Sequence, residues 1–323
     1  MENLTHTLVG LFLARCGLEK TTPRGAGMMM LAANIPDIDA VTWLGGSTTY
    51  LEYHRGITHA LLFMPVMALL PMLLVRAKFR WQTWLASILG VLSHLLIDWT
   101  MSFGTPLLLP FSARRWRLDM NNLVDLWVWV ILLGALGATA LVTLVNREIG
   151  ARNQLGARRG WAWAALILLV SFEGLRFFSH ERALAVMKSR LYQGNPPQLV
   201  AALPGTFNPF QWRGVVEGQS SKGPFVLIVP VDVSPLDLAR PYEPANGRVY
   251  DLIAPPAPLL DSVRRTRPFR VFEKFSQLPF WEVENAERGT RVSLLDLRFS
   301  DPGSLGFGSV AAVVDGAGIA HPR

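Results

Sequence analysis

The sequence predicts an α-helical polytopic membrane domain, with about four spans plus N-terminal interfacial helices, followed by a small antiparallel β domain. Three observations predict it. Half of the 323 residues are hydrophobic and only 17% are charged, against roughly 25% in an average soluble domain. The apolar residues crowd before residue 180, and 16 of the 22 prolines fall from Pro196 onward. Short alternating runs replace long apolar ones at the same point. The chain therefore divides into a helical membrane domain at 1–190, which carries the candidate site, and a β-rich extramembrane domain at 204–316.

The first elements are not spans. Leu4–Leu18 and Gly25–Leu44 are apolar but interrupted by Arg15, Asn34, Pro36, Asp37 and Asp39. Such segments are expected to lie on the bilayer or dip into it. Glu2 and His6 stand where a cleaved leader would carry basic residues, so His6 is expected in the mature chain.

Four segments then read as spans: Ala60–Val75, Trp81–Ile97, Leu126–Val145 and Trp161–Phe178. A bilayer core needs about 20 apolar residues per helix, so the second and fourth must borrow from their flanks. Trp81, Trp84, Trp99, Trp127, Trp129, Trp161 and Trp163 sit at the ends of these runs, the placement of an aromatic belt. Glu173 and Arg176, three apart in the fourth segment, are expected to pair with each other.

Beyond Leu203 the runs "FVLIVPVDV" (225–233), "FRVFEKF" (269–275), "RVSLLDLRF" (291–299) and "SVAAVVD" (309–315) are separated by Pro, Gly and Asn, and each reads as a strand. The net charge is +7. Its basic residues flank apolar segments, which topology and anionic headgroups explain, and no basic run interleaved with aromatics suggests nucleic acid. The single cysteine, Cys16, excludes an intramolecular disulfide.

The chemistry lies in the first 100 residues. His94 and Asp98 in "SHLLID" are four apart near a span end, on one helical face, where they can share an ion or bond each other. "HRGITH" supplies His54 and His59, and alternation of spans brings it to the same membrane surface as "SHLLID". "NIPDID" places Asp37 and Asp39 in an apolar stretch, where two carboxylates need a neutralising partner. His6 opens the first amphipathic segment.

Together, His6, Asp37, Asp39, His54, His59, His94 and Asp98 form a candidate ligand set. Mixed His/Asp ligation suits zinc, with manganese or iron as alternatives, and seven candidates leave room for more than one ion. Arg55 is a candidate phosphate holder, and one of Asp37 and Asp39 a candidate general base. Asn121 and Asp125, four apart before the third span, are candidates to extend the cluster.

"THTLVG" at 5–10, "NIPDID" at 34–39, "HRGITH" at 54–59 and "SHLLIDWTMSFGTPLLLPFS" at 93–112, in that order, resemble the YdjM-like family. The resemblance covers roughly residues 1–146, and "DLWVWVILL" at 125–133 fits its last element. "FNPFQWRGVVEG" at 207–218 and "VSLLDLRF" at 292–299 resemble the β extension of longer members. It implies an inner-membrane, metal-dependent hydrolase in which the seven candidate ligands are the matching positions. More distantly, His94-x-x-x-Asp98 is similar to the helix motif of zinc-dependent phospholipase C and P1-type nucleases. Those enzymes carry a second such helix, whose nearest counterpart here, Asn121–Asp125, has Asn in place of His.

The expected function is membrane-bound, metal-dependent hydrolysis of an ester or phosphoester bond, with a membrane lipid as environment and possible substrate. The alternative is a non-enzymatic, metal-stabilised scaffold that recruits a protein partner through the β domain.

Overall fold

A computed structural model describes residues 2–150, 154–235, 244–287, 289–304 and 306–322. The chain forms two compact units. One comprises Met1–Asp39, Arg55–Ser179 and Pro204–Pro209; the other comprises Ala40–His54, His180–Leu203 and Phe210–Arg323.

The first unit is helical. It contains α1 (Asn3–Arg15), α2 (Gly25–Ala32), the short α4 (Met64–Met67) and α5 (Leu69–Leu74), α6 (Trp81–Trp99), α7 (Leu126–Glu148) and most of α8 (Gln154–Lys188). Leu8, Val9 and Phe12 of α1 pack with Val128, Leu132 and Ala135 of α7 and with Ala162, Ala165 and Leu169 of α8. Met28 and Met29 of α2, Met72 of α5 and Ala86 of α6 close the core on the other side of α1.

By length and composition two helices can cross a membrane, Leu126–Glu148 and Arg158–Lys188. A third span is possible if the pair Ser47–His59 and Leu61–Leu74, bent by 56°, counts as one. The sequence predicts four spans, and the structure supports two or three. Ala60–Val75 is broken, since Pro65 and Pro71 have no N–H to continue a helical ladder. Trp84 Nε1 and Ser87 Oγ of α6 donate to the carbonyls of Pro65 and Ala68, at 3.0 and 2.7 Å, and satisfy part of the broken backbone. α6 itself spends residues on Thr83, Ser87, His94 and Asp98, all buried, and so is too polar to count as a simple span. α7 shows the opposite balance. Only 17% of its apolar window is buried within the protein, so most of its side chains face outward, as lipid contact requires.

Two glycines set the spacing around α2. A Cβ on Gly10 would lie 2.7 Å from the Met29 carbonyl oxygen, and one on Gly90 would lie 2.6 Å from Ala32 Cβ. Each glycine is one helical turn from a candidate ligand, Gly10 from His6 and Gly90 from His94. Close helix approach therefore brings the imidazoles in. Gly90→Val is expected to cost about 1–3 kcal/mol by overpacking. Thermal unfolding in detergent measures this, and an unchanged midpoint would mean that the helices have room there.

The second unit contains α3 (Ser47–Tyr53), the end of α8, α9 (Ala257–Arg264), α10 (Arg267–Phe275) and two four-stranded sheets. The first sheet is ordered β1 (Leu199–Pro204), β2 (Gln211–Ser220), β3 (Gly223–Asp232), β4 (Arg248–Asp251). The second is β5 (Pro279–Ala286), β6 (Gly289–Asp296), β7 (Ser309–Val314), β8 (Ala320–Pro322). The pairings β2–β3, β3–β4, β5–β6, β6–β7 and β7–β8 are antiparallel. β3 reads as an almost unbroken apolar run because both its faces are covered. Phe225, Leu227 and Val229 pack with Ala183 and Met187 of α8, while Val226 packs with Leu278 and with Phe280 and Leu295 of the other sheet.

One expected strand is a helix. "FRVFEKF" forms α10, which buries Phe269, Phe272 and Phe275. Spacing by three fits a helical face, and Pro268 at the helix start supplies the fixed φ of a first turn. Arg267 at its start pairs with Glu52 of α3 at 2.6 Å.

Candidate metal centre

Four candidate ligands meet in the helical unit. The 3₁₀ segment Ile35–Gly45 carries Asp37, the 3₁₀ turn Ile57–His59 carries His59, and the last turns of α6 carry His94 and Asp98. One donor atom from each lies within 4.8 Å of all the others, a group that can hold a metal ion.

Five of the six donor separations are defined. His59 Nε2 is 3.1 Å from His94 Nε2, 3.4 Å from Asp37 Oδ1 and 3.6 Å from Asp98 Oδ2. His94 Nε2 is 3.6 Å from Asp37 Oδ1 and 3.5 Å from Asp98 Oδ2. An ion 2.0–2.1 Å from four tetrahedral donors sets donor–donor edges of about 3.3 Å. The observed edges bracket that value.

The charge balance agrees. Asp37, Asp39 and Asp98 are three carboxylates with little or no exposure, and Arg55 is one guanidinium, 3% exposed. With neutral imidazoles the balance is −2, which a divalent cation cancels. Buried carboxylates without a counter-charge would be costly. The residues present therefore fit such an ion.

The surroundings orient the donors. His94 Nδ1 donates to the Ala33 carbonyl at 2.8 Å, which turns the Nε2 lone pair into the centre. His59 Nδ1 lies 3.0 Å from Thr58 Oγ1, and Thr58 Oγ1 donates to Asp39 Oδ2 at 2.6 Å. Asp39 Oδ2 also accepts from the Arg55 backbone N–H at 3.0 Å. Asp39 thus sits behind His59, 3.4 Å from its Nδ1. Burial alone would raise the Asp37 carboxyl, but the hydrogen bond from His59 and the positive charge that His94 carries when its ring is protonated, with no ion bound, outweigh it and hold the pKa at about 2.

Arg55 has φ 55°, a left-handed conformation that is strained for a residue with a side chain. Its Nη2 reaches Asp98 Oδ2 at 2.9 Å and its guanidinium lies 4.7 Å over the Phe103 ring. Its Nε and Nη1 are buried without a hydrogen-bond partner among the described residues.

His6 is fully buried, stacked on His94 with ring centroids 3.8 Å apart, and its Nε2 lies 3.4 Å from Asp98 Oδ1. It therefore addresses the carboxylate oxygen that points away from the four-donor group. Neither ring nitrogen has a hydrogen bond among the described residues. Burial, then the charge of His94, pushes its pKa down to about 3, so it is neutral and able to coordinate. His54 belongs to the other unit, where it stacks on Tyr50 with centroids 4.3 Å apart.

Two expectations are corrected. Asn121 and Asp125, candidates to extend the cluster, are engaged elsewhere. Asp125 caps α7 by accepting from the N–H groups of Trp127 and Val128, and Asn121 donates to Thr100 Oγ1 and Glu173 Oε1. Glu173 and Arg176 do not form the expected pair: Arg176 donates to the carbonyls of Met120 and Pro209 instead. Burial explains both, since a polar group inside a helical bundle takes whatever partner is nearest. Thr58 and the Ala33 carbonyl escaped the sequence reading. Thr58 adjoins a candidate ligand, which is a signal; a backbone carbonyl leaves none.

Helices that bare their apolar flanks, enclosing carboxylates in excess of their cations, define an integral membrane protein built around a buried polar centre. The chain belongs to the family of the YdjM inner membrane protein, whose model matches residues 1–183 and so includes every member of the centre. A relative, the uncharacterized protein YfhP of Bacillus subtilis (strain 168), is 23% identical over 335 residues, covering 97% of this chain and 91% of that protein. No solved structure matches at a significant level.

Proposed function

We propose that this protein is a membrane-bound hydrolase that holds a divalent ion, zinc by preference, and cleaves an ester or phosphoester bond of a lipid or other membrane-proximal substrate. The observation that carries the reading is the four-donor group of two imidazole nitrogens and two carboxylate oxygens at tetrahedral spacing. Two nitrogens with two oxygens suit zinc, and manganese or iron accept the same donors. When bound, such an ion lowers the pKa of water towards 7 and polarises the oxygen of a scissile bond.

The protein side chains divide the remaining work. His59, His94 and Asp98 have side chains 0–1% exposed and anchor the ion, while Asp37, at 10%, stands at the edge. A catalytic centre needs one position open to substrate. Asp37 is the donor able to yield that position or to take a proton. Arg55 steadies Asp98 and keeps the N–H groups of Nε and Nη1 without a partner among the described residues, which suits an oxygen that gains negative charge during cleavage. Asp39 and Thr58 hold His59 in register.

The test uses the full chain in lipid nanodiscs, with p-nitrophenyl carboxylic esters and bis-p-nitrophenyl phosphate as substrates. Turnover is expected to stop on chelation and to return with added zinc or manganese. A His94→Ala variant that cleaves as fast as the unmodified protein would sink the reading. Bound metal with no turnover on any substrate would return the protein to a metal-stabilised scaffold.

A further inference from the structure

The stretch from Ser102 to Asp119 is a lobe between α6 and α7. Thr105 and Trp116 close its neck by exchanging two backbone hydrogen bonds, each 2.9 Å. Beyond the neck the sequence is Pro106-Leu-Leu-Leu-Pro-Phe111, then Ser-Ala-Arg-Arg. The tip is compact: Phe111 N–H donates to the Leu108 carbonyl at 2.9 Å and Ser112 N–H to the same oxygen at 3.0 Å.

The tip turns its apolar side chains outward. Phe111 is 83% exposed and Leu108 43%. A neighbouring strip continues the surface, since Leu61 N–H donates to the Leu107 carbonyl at 3.0 Å and Leu61 and Leu62 are themselves exposed. An isolated exposed apolar side chain needs no explanation, but a phenylalanine and three leucines on adjoining turns do.

Immediately after the tip come the cations. Arg114 lies 4.6 Å over the Trp116 ring. Arg115 lies 5.9 Å from the Phe103 centroid and donates to the Gly104 carbonyl at 3.3 Å. Arg117 pairs with Asp119. Along the chain an apolar tip is followed by arginine and tryptophan, the residue types that suit the acyl, phosphate and interfacial levels of a bilayer leaflet. Phe103 adds a connection inward, because the same ring carries Arg55 of the metal centre on its π system at 4.7 Å.

We propose that the 102–119 lobe is a lipid-engaging lip: Leu108 and Phe111 enter the acyl region of the bilayer, and Arg114 and Arg115 hold the phosphate of an anionic lipid headgroup. The lip places a headgroup phosphate at the outer arginines, with Phe103 and then Arg55 next in line towards the four-donor group. This inference rests on the membrane character of the protein and not on hydrolysis, so it survives if no activity is found.

The chain has one cysteine, Cys16, so a Cys16→Ala background admits a single spin label. Phe111→Cys, labelled with a nitroxide in nanodiscs of phosphatidylcholine and phosphatidylglycerol, is expected to be relaxed by oxygen and protected from a water-soluble nickel chelate. A label fully open to the nickel chelate would overturn the lip. The headgroup half is tested separately by lipid retention. Arg114→Gln/Arg115→Gln is expected to lower co-purifying phosphatidylglycerol relative to phosphatidylcholine at least twofold. An unchanged ratio would remove the anionic headgroup from the proposal. The substituted side chains are exposed or half-buried, and retained secondary structure by circular dichroism separates lost lipid from lost fold.

Discussion

His94→Ala is expected to strip the protein of tightly bound metal. His94 is joined to the centre at both ends, with Nε2 at one vertex of the four-donor group and Nδ1 donating to Ala33 at 2.8 Å. Removing an outer partner of a metal ligand costs about 10–100-fold in affinity. Loss of a ligand itself should exceed that, above about 100-fold. Thr58→Val supplies the internal comparison. It keeps all four donors but cuts the hydroxyl link between His59 and Asp39, so its loss should fall within about 10–100-fold. Elemental analysis after dialysis against graded chelator gives the order: unmodified protein, then Thr58→Val, then His94→Ala. If His94→Ala retains metal as well as Thr58→Val does, the imidazole is not a ligand. If the unmodified protein itself carries no metal after zinc loading, the centre holds no ion at all.

How much of this was legible beforehand follows from the range of each interaction. His94 and Asp98 were readable together because a helix fixes the spacing of residues four apart. Asp37 was readable from cost, since a carboxylate in an apolar stretch demands a partner. That the two would meet His59 required only that "HRGITH" and "SHLLID" reach one surface. What stayed hidden was the division of labour. The sequence cannot show that Asp39 turns behind His59, or that His6 addresses the far oxygen of Asp98, because both depend on side-chain direction across three separate segments. The same limit appears in the fold. β3 and β6 were visible as apolar runs, but "FRVFEKF" satisfies strand alternation and a three-residue helical repeat alike, and packing of Phe269, Phe272 and Phe275 decides for the helix. The structure supports two or three spans where the sequence predicts four, for a related reason. An apolar window cannot tell lipid from the interior of a protein, and α6 turns Thr83 and Ser87 to backbone carbonyls and His94 and Asp98 to the four-donor group, all of them inside the protein.

The second large effect belongs to the β-rich unit. Asp296→Asn is expected to destabilise it by about 3–5 kcal/mol, the cost of leaving a buried cation without its counter-charge. Asp296 and Arg298 have fully buried side chains, 2.6 Å apart between Oδ2 and Nη2. Arg298 Nε also donates to Asp296 Oδ1 at 2.9 Å, and Nη2 donates to the Phe275 carbonyl at 3.0 Å. The guanidinium is bracketed by the rings of Phe275 and Phe299, each 4.9 Å away. The Gln277 N–H donates to Asp296 Oδ2 at 3.0 Å, so the carboxylate ties the end of β6 to the turn after α10. Burial would raise the Asp296 carboxyl, but the hydrogen bonds and charge of Arg298 outweigh it and hold it below the usual range. A carboxylate whose pKa is lower folded than unfolded adds stability that is fully present above the unfolded value, near 3.9. That contribution is lost as pH falls through the folded value. Hydrogen exchange over β6 and β7 should therefore accelerate in Asp296→Asn at neutral pH. In the unmodified protein, protection relative to the intrinsic exchange rate should fall only on acidification below about pH 4. The paired replacement Asp296→Leu/Arg298→Met removes both charges together and is expected to recover most of the loss, because burying neither ion avoids both desolvation costs. If the single and paired variants exchange alike, the ion pair contributes nothing that packing does not.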